Sequence, residues 1–136
     1  MAGPVVHEPA TAGRRTPRFG NATRDDLPGF LGIMRIIHQE PNSSAFARLL
    51  VGQPKPEDEI PLAHLFEEIS TLALHGLIVE ELLFDAFAFD YYWEQLSDSV
   101  RKARQKTGNK KFCENFELAA KLAIAYRETR PPKTEP

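Results

Sequence analysis

Apolar residues recur at spacings of three and four along most of the chain after about residue 25, which is the spacing of one face of an α-helix. No segment alternates polar and apolar residues for long enough to predict a strand. Prolines and glycines interrupt the pattern and divide it into successive helices. The pattern therefore predicts an all-α fold of four to five helices.

The first three predicted helices lie between residues 25 and 76. The first is capped by Asp25 or Asp26 and ends before Pro41, because the residue preceding a proline disfavours helical backbone. The second is short and carries apolar residues around position 49. The third has Pro61 as a first helical residue and ends at Gly76, since proline suits a first turn and glycine a helix end.

A long helix is predicted over about 79–106, at the centre of the fold. At 100° per residue, its first half carries apolar side chains on two roughly opposite sides. One stripe comprises Leu82, Leu83, Ala86, Trp93 and Val100, and the other comprises Phe84, Phe87, Ala88 and Tyr91. A turn at 107–109 leads to the last helix. A helix that is apolar on two sides must be covered, either by the rest of the chain or by another molecule.

The candidates for partner binding are aromatic residues of that helix. Tyrosine combines a large apolar area with a hydroxyl group, and aromatic residues are enriched among the residues that dominate binding energies. The predicted binding residues are Phe84, Phe87, Tyr91 and Tyr92. The alternative is that they form the hydrophobic core, covered by the helices between Leu27 and Leu50.

The predicted domain organisation has three parts. Residues 1–24 are rich in Pro, Gly, Thr and Arg and predict a disordered, locally basic arm, residues 25–128 form the helical domain, and residues 129–136 form a disordered tail. At 136 residues the chain is long enough for one domain.

Composition narrows the functional classes. The formal net charge is −2, whereas a nucleic-acid-binding domain is usually strongly basic, so nucleic acid is not favoured as a partner. No apolar run approaches the ~18 residues of a membrane span, and the first residues lack the apolar core of a secretion signal. The single cysteine excludes an internal disulfide. These features predict a cytoplasmic, soluble protein.

Catalytic, metal-binding and cofactor-binding patterns are absent from the sequence. His64 and His75 are eleven residues apart, too far to share a metal ion, and both are interpreted as structural. Asp90 falls on an apolar stripe, so it is expected to be paired or exposed, or else to be a perturbed acid in a site. Cys113 has no histidine near it in sequence and is interpreted as a small core residue. We therefore expect no cofactor and no catalytic residues.

Several short motifs resemble a family of small bacterial helical proteins that is described as a domain of unknown function. They are His75–Asp85 (HGLIVEELLFD), Tyr92-Trp93-Glu94, Arg101 with Arg104, and Glu114-Asn115-Phe116-Glu117. The resemblance covers residues 27–126 loosely and implies an all-helical fold but no reaction and no site residues. Two features depart from the family pattern. Many members carry an N-terminal membrane helix, and an aspartate starts the long helix where this chain has Val79.

The sequence thus predicts a non-catalytic helical module for protein–protein interaction or regulation, with a homodimer as one form of that interaction. One alternative is a nucleic-acid accessory protein that uses the basic arm together with Lys102, Arg104, Lys106, Lys110 and Lys111. A second alternative is an undetected enzyme, in which folding brings together Asp90, His64, His75 or Cys113.

Overall fold

The computed structural model describes residues 19–130 and 132–134, in which all regular structure is helical. The six α-helices are α1 (Leu27–Ile37), α2 (Asn42–Leu50), α3 (Pro56–Leu74), α4 (Glu80–Ala86), α5 (Phe89–Thr107) and α6 (Glu114–Thr129). A single 3-10 turn, Arg24–Asp26, precedes α1. The predicted all-α fold class is confirmed.

The centre of the molecule is the packing of α3 against α5 and α6. Phe66 of α3 is fully buried there, and its ring stacks on Tyr92 with centroids 4.9 Å apart. The fully buried rings of Phe89 and Phe116 lie 5.5 and 5.3 Å from that of Phe66. Such aromatic pairs contribute about 0.5–1.5 kcal/mol each beyond the area they bury. The core is therefore an aromatic cluster shared by three helices.

The long helix predicted over 79–106 is two helices in the structure. Phe87 and Ala88 leave the helical conformation, with φ/ψ of −129°/137° and −93°/69°. This break redirects α4 relative to α5, so that the rings of Phe84 and Phe87 both pack against that of Phe89. Their ring centroids lie 6.2 and 6.3 Å from the Phe89 centroid. The two stripes of a straight helix would have faced opposite directions. The break instead brings Phe84 and Phe87 of the second stripe into the core that Leu83 and Val100 of the first stripe share, whereas Tyr91 stays exposed.

Helix α3 begins at Pro56, five residues before the predicted start. The carboxylate of Asp58 accepts a hydrogen bond from the backbone N–H of Lys55 at 2.9 Å and caps the first turn. Pro56 takes the first helical position, where its missing N–H leaves no bond unmade. Pro61, predicted as the first residue, lies inside the helix with an exposed ring.

Segments at both ends of the described chain contact α4. Phe19 is buried, with its ring edge-on to Phe84 and to Tyr126. The N–H of Glu81 donates to the carbonyl of Phe19 at 2.9 Å, and Lys133 pairs with Asp85 at 2.7 Å. Phe19 and Ala22, within the segment predicted as a disordered arm, and Lys133, within the predicted tail, thus contact α4. The remaining predictions of disorder, for residues 1–18, 131, 135 and 136, lie outside the described residues.

Across the described residues, none of the helices is both long and apolar enough to cross a lipid bilayer.

Candidate interaction surface

The four aromatic residues predicted to bind a partner lie in two environments. Phe84, Phe87 and Tyr92 are buried in the core, whereas Tyr91 is 39% exposed. Burial removes the first three rings from the surface, so the four do not form a continuous binding face. Of these residues, Tyr91 is the one that presents its ring to solvent.

The end of α2 places two apolar side chains in solvent. Leu50 is 50% exposed and Val51 is 69% exposed. Gly52 adopts a φ of +73°, and its N–H donates to the carbonyl of Leu49 at 3.0 Å. A left-handed glycine that closes the last turn in this way is a common helix end, and it reverses the chain sharply. The reversal leaves Val51 at the tip of the turn.

Helix α5 brings Tyr91 beside that turn. A Cβ atom on Gly52 would lie 3.3 Å from the Tyr91 hydroxyl oxygen, so the tyrosine hydroxyl lies against the glycine backbone. One turn further along α5, Gln95 Nε2 donates to the carbonyl of Leu49 at 2.9 Å and fixes the helix to the end of α2. We call Leu50, Val51, Gly52 and Tyr91 the Tyr91 surface. It joins residues about forty positions apart in the sequence.

Sequence reasoning identified Tyr91 but missed Val51 and Gly52 as parts of a surface. Of the apolar pair that ends α2, Leu49 is fully buried and Leu50 is half exposed. Adjacent helical residues point about 100° apart, so one of the two had to face away. The sequence signal for this surface is the apolar pair Leu50-Val51 directly before the glycine that ends the helix.

Asp90 forms an ion pair between helices. It lies in the first turn of α5, its side chain is 12% exposed, and its Oδ2 contacts the guanidinium of Arg127 in the last turn of α6. The other carboxylate oxygen, Oδ1, is buried and accepts no hydrogen bond from the described part of the chain. Pairing was one of the sequence alternatives for Asp90, and the structure shows that pairing.

The other candidates for a catalytic role lie apart from Asp90. His64 is exposed and lies 3.9 Å from Glu68 on the same helix. His75 ends α3 and lines an open cleft of about 660 Å³ with Phe19 and Ile78, to which neither His64 nor Asp90 contributes. Within the described residues, no hydrogen bond or ion pair joins any two of these groups.

Cys113 is buried at the start of α6, as expected for a small core residue. Its Sγ donates to the carbonyl of Ala63 at 3.6 Å. Burial, together with the negative charge of Glu67, raises the pKa of the Cys113 thiol to about 12. The thiolate is the reactive form of cysteine, so this thiol is held in its unreactive form near neutral pH.

The motifs Tyr-Trp-Glu, Arg and Glu-Asn-Phe-Glu meet in one network on α5 and α6. Arg104 pairs with Glu117 at 2.9 Å, and its guanidinium lies 5.8 Å from the centroid of the Trp93 ring. Glu67 of α3 accepts hydrogen bonds from the N–H of Phe116 at 2.8 Å and from Asn115 at 2.9 Å. Glu67 thereby caps the start of α6. These motif residues connect the three central helices.

For the nucleic-acid alternative, residues 1–18 of the basic arm lie outside the described part of the chain. The five positively charged residues named for it between 102 and 111 divide into two groups. Arg104 is largely enclosed by its network, with its side chain 18% exposed. The remaining four are exposed: Lys102, Lys106, Lys110 and Lys111. No group of three or more His, Cys, Asp or Glu residues in the described ranges is arranged to hold a metal ion.

The structure defines an all-helical domain whose central helices are joined by partly buried polar side chains. The chain belongs to the family described as a domain of unknown function, DUF4760, whose family model matches residues 25–122. Searches of curated proteins and of solved structures gave no match. The family assignment confirms the resemblance inferred from the sequence motifs.

Proposed function

We propose that this chain is a non-catalytic interaction module and that the Tyr91 surface binds a second copy of the chain. The observation that carries the proposal is that Tyr91 is exposed and its hydroxyl lies against Gly52, which directly follows the exposed Leu50 and Val51. The adjacent Tyr92 is buried. Single exposed apolar residues are common on proteins, but adjacent ones more often mark contact sites. Tyrosine is also among the residues that contribute most to binding.

The composition of the Tyr91 surface supports self-association. Leu50, Val51, Gly52 and Tyr91 are uncharged, so joining the same surface of two copies places no like charges at its centre. A two-fold symmetric dimer requires a surface of this self-complementary kind. The hydrogen bond from Gln95 to Leu49 also fixes the surface before binding, which lowers the entropy lost on association.

The proposed role needs no catalytic group. His64 is exposed and Asp90 is ion-paired, while burial keeps the Cys113 thiol protonated. A cytoplasmic location belongs to the same proposal and rests on the single, unpaired Cys113.

The test is a Tyr91→Glu variant, examined by size-exclusion chromatography with light scattering over a range of concentrations. We expect the wild type to form a dimer as concentration rises and the variant to remain monomeric, because the dimer would bury the introduced charges. Phe84→Glu is unsuitable, since Phe84 is in the core and a charge there would unfold the domain.

Ile124→Glu is the matched control. Ile124 is 45% exposed on α6 and is not one of the four residues of the Tyr91 surface, so this variant should dimerise like the wild type. Thermal unfolding of all three proteins checks that each is folded. A wild type that stays monomeric at every concentration, or equal dimer loss in both variants, would contradict the proposal.

A further inference from the structure

Apart from the basic N-terminal arm, positive charge is concentrated in one short segment of the chain. Residues 99–113 contain six lysines and arginines and no aspartate or glutamate. Since the whole chain has a net charge of −2, the rest of the molecule carries −8. Charge asymmetry of this kind is a sequence sign of contact with a polyanion.

In the fold, this segment forms the last turns of α5 and the connection to α6. Arg104 is neutralised by Glu117, and Arg101 lies 3.9 Å from Asp98, which is at the edge of an ion-pair distance. The other side chains are those of Lys102, Lys106, Lys110 and Lys111. They are exposed, and no carboxylate of the described chain lies within ion-pair distance of their ammonium groups. We call Arg101 and these four lysines the basic surface.

The connection between the helices has a defined conformation. Gly108 takes a φ of +73° at the end of α5, and the N–H of Lys111 donates to Asn109 Oδ1 at 3.1 Å. Arg104 Nε donates to the carbonyl of Phe112 at 2.8 Å and ties the connection to α5. Lys102 and Lys106 lie one turn apart on α5, about 6 Å along its axis. The backbone that carries these five cations is therefore held in a defined conformation.

Folding stability does not account for this array. Lys102 and Lys106 are like charges four residues apart on a helix, which destabilises the helix. Lys110 and Lys111 lie three to four residues from both the C-terminal end of α5 and the start of α6, so the two helix dipoles give them no net stabilisation. Only Lys106 is placed favourably, in the last turn of α5. Residues that break local stability rules without compensation within the fold are expected at functional sites.

We propose that the basic surface binds the phosphate backbone of nucleic acid without preference for base sequence. Lysines act as point charges toward phosphate oxygens, and such contacts position a protein without reading bases. The segment also offers no exposed aromatic or aliphatic side chain for base stacking or bilayer insertion, because Phe112 is partly buried and Cys113 is buried. This surface is separate from the Tyr91 surface, so either proposal can fail alone.

The test measures binding of the full chain to a fluorescent 20-base-pair duplex of random sequence by anisotropy. With about four phosphate contacts, affinity should fall on the order of 100-fold between 50 and 200 mM salt. Replacing Lys102, Lys106, Lys110 and Lys111 together by alanine should abolish the binding. The same variant should unfold at an equal or higher temperature than the wild type, because repulsion within the array is removed.

The matched control replaces four exposed cations outside the segment by alanine, namely Arg24, Arg35, Lys55 and Lys121. It makes the same change in net charge and should retain binding of the duplex. Equal loss of duplex binding in both variants would show attraction to overall charge and overturn the proposal. The proposal would also be overturned if the wild type did not bind the duplex at 50 mM salt, or if it bound phosphatidylserine vesicles or polyglutamate but not the duplex.

Discussion

Asp58 accepts hydrogen bonds from two elements and so joins α2 to α3. Its carboxylate pairs with the Arg48 guanidinium at 2.6 and 2.7 Å and also caps α3 through the N–H of Lys55. Glu67 acts similarly between α3 and α6. In the sequence these residues are indistinguishable from solvent-exposed acids, because their roles depend on which helix end lies opposite.

Replacing Asp58 should make stability less dependent on acid pH. The hydrogen bonds from Arg48 lower the pKa of the Asp58 carboxyl from 3.8 to about 2. The ionised pair therefore stabilises the fold above about pH 4, and that stabilisation is lost as pH falls through 2. At pH 7, Asp58→Asn should lower the free energy of unfolding by about 1–2 kcal/mol, since Arg48 is partly solvent-exposed.

Urea unfolding at pH 7, 4, 3 and 2 measures this effect. The difference in free energy of unfolding between wild type and Asp58→Asn should shrink as pH falls below 4. Asp98→Asn is the control, since Asp98 is highly exposed and should change stability by less than about 0.5 kcal/mol. A difference that stays constant with pH would contradict the role given to the Asp58 ion pair.

Among the helices, the sequence predicted the interiors better than the ends. The stop at Gly76 is confirmed: its φ is +77°, and the N–H of Leu77 donates to the carbonyl of Leu72 at 2.9 Å. The start of α3 and the break at Phe87–Ala88 were not predicted. No proline or glycine marks that break, and extended backbone there is favoured by aromatic packing between distant helices. Local patterns contain no information on such contacts.

Two glycine-to-alanine substitutions should have opposite effects on stability, because the two glycines differ in backbone conformation. At both Gly76 and Gly32, an added Cβ would meet no atom within 4 Å, so steric space is equal. Gly76 has left-handed backbone, and Gly76→Ala should destabilise the domain by about 1–2 kcal/mol. Gly32 lies inside α1, and Gly32→Ala should stabilise it by about 0.5–1 kcal/mol. Thermal unfolding of both variants measures the signs, and an equal effect of the two would contradict this assignment of conformations.

Across the whole molecule, α3, α5 and α6 form the central unit, and α1 lies at the periphery. α1 packs mainly on α2 and the 3-10 turn, and it leaves Leu27, Leu31 and Ile36 exposed. Its inward side chains, Ile33 and Ile37, are buried. A helix attached along one face, with few partners, is expected to open more readily than the central ones.

Hydrogen exchange followed by mass spectrometry tests this ranking. Amides of α3, α5 and α6 should exchange slowest, near the rate set by global unfolding, and those of α1 should exchange fastest among the helices. Phe66→Ala should lower the global free energy of unfolding by about 3–5 kcal/mol. It should thereby narrow the difference in exchange rate between the central helices and α1. Protection of α1 equal to that of α6 would show that α1 belongs to the central unit.

The sequence by itself determined the all-α class, the family motifs, most helix interiors and the stop at Gly76, because these depend on local periodicity and on the conformational preferences of single residues. Tertiary structure alone decided where α4 separates from α5 and which aromatic rings are buried. It also placed the Tyr91 hydroxyl beside Gly52, since contacts between residues distant in sequence are set by how the helices pack. The two proposed surfaces differ in the same way, because the basic surface is continuous in the sequence whereas the Tyr91 surface is assembled by folding.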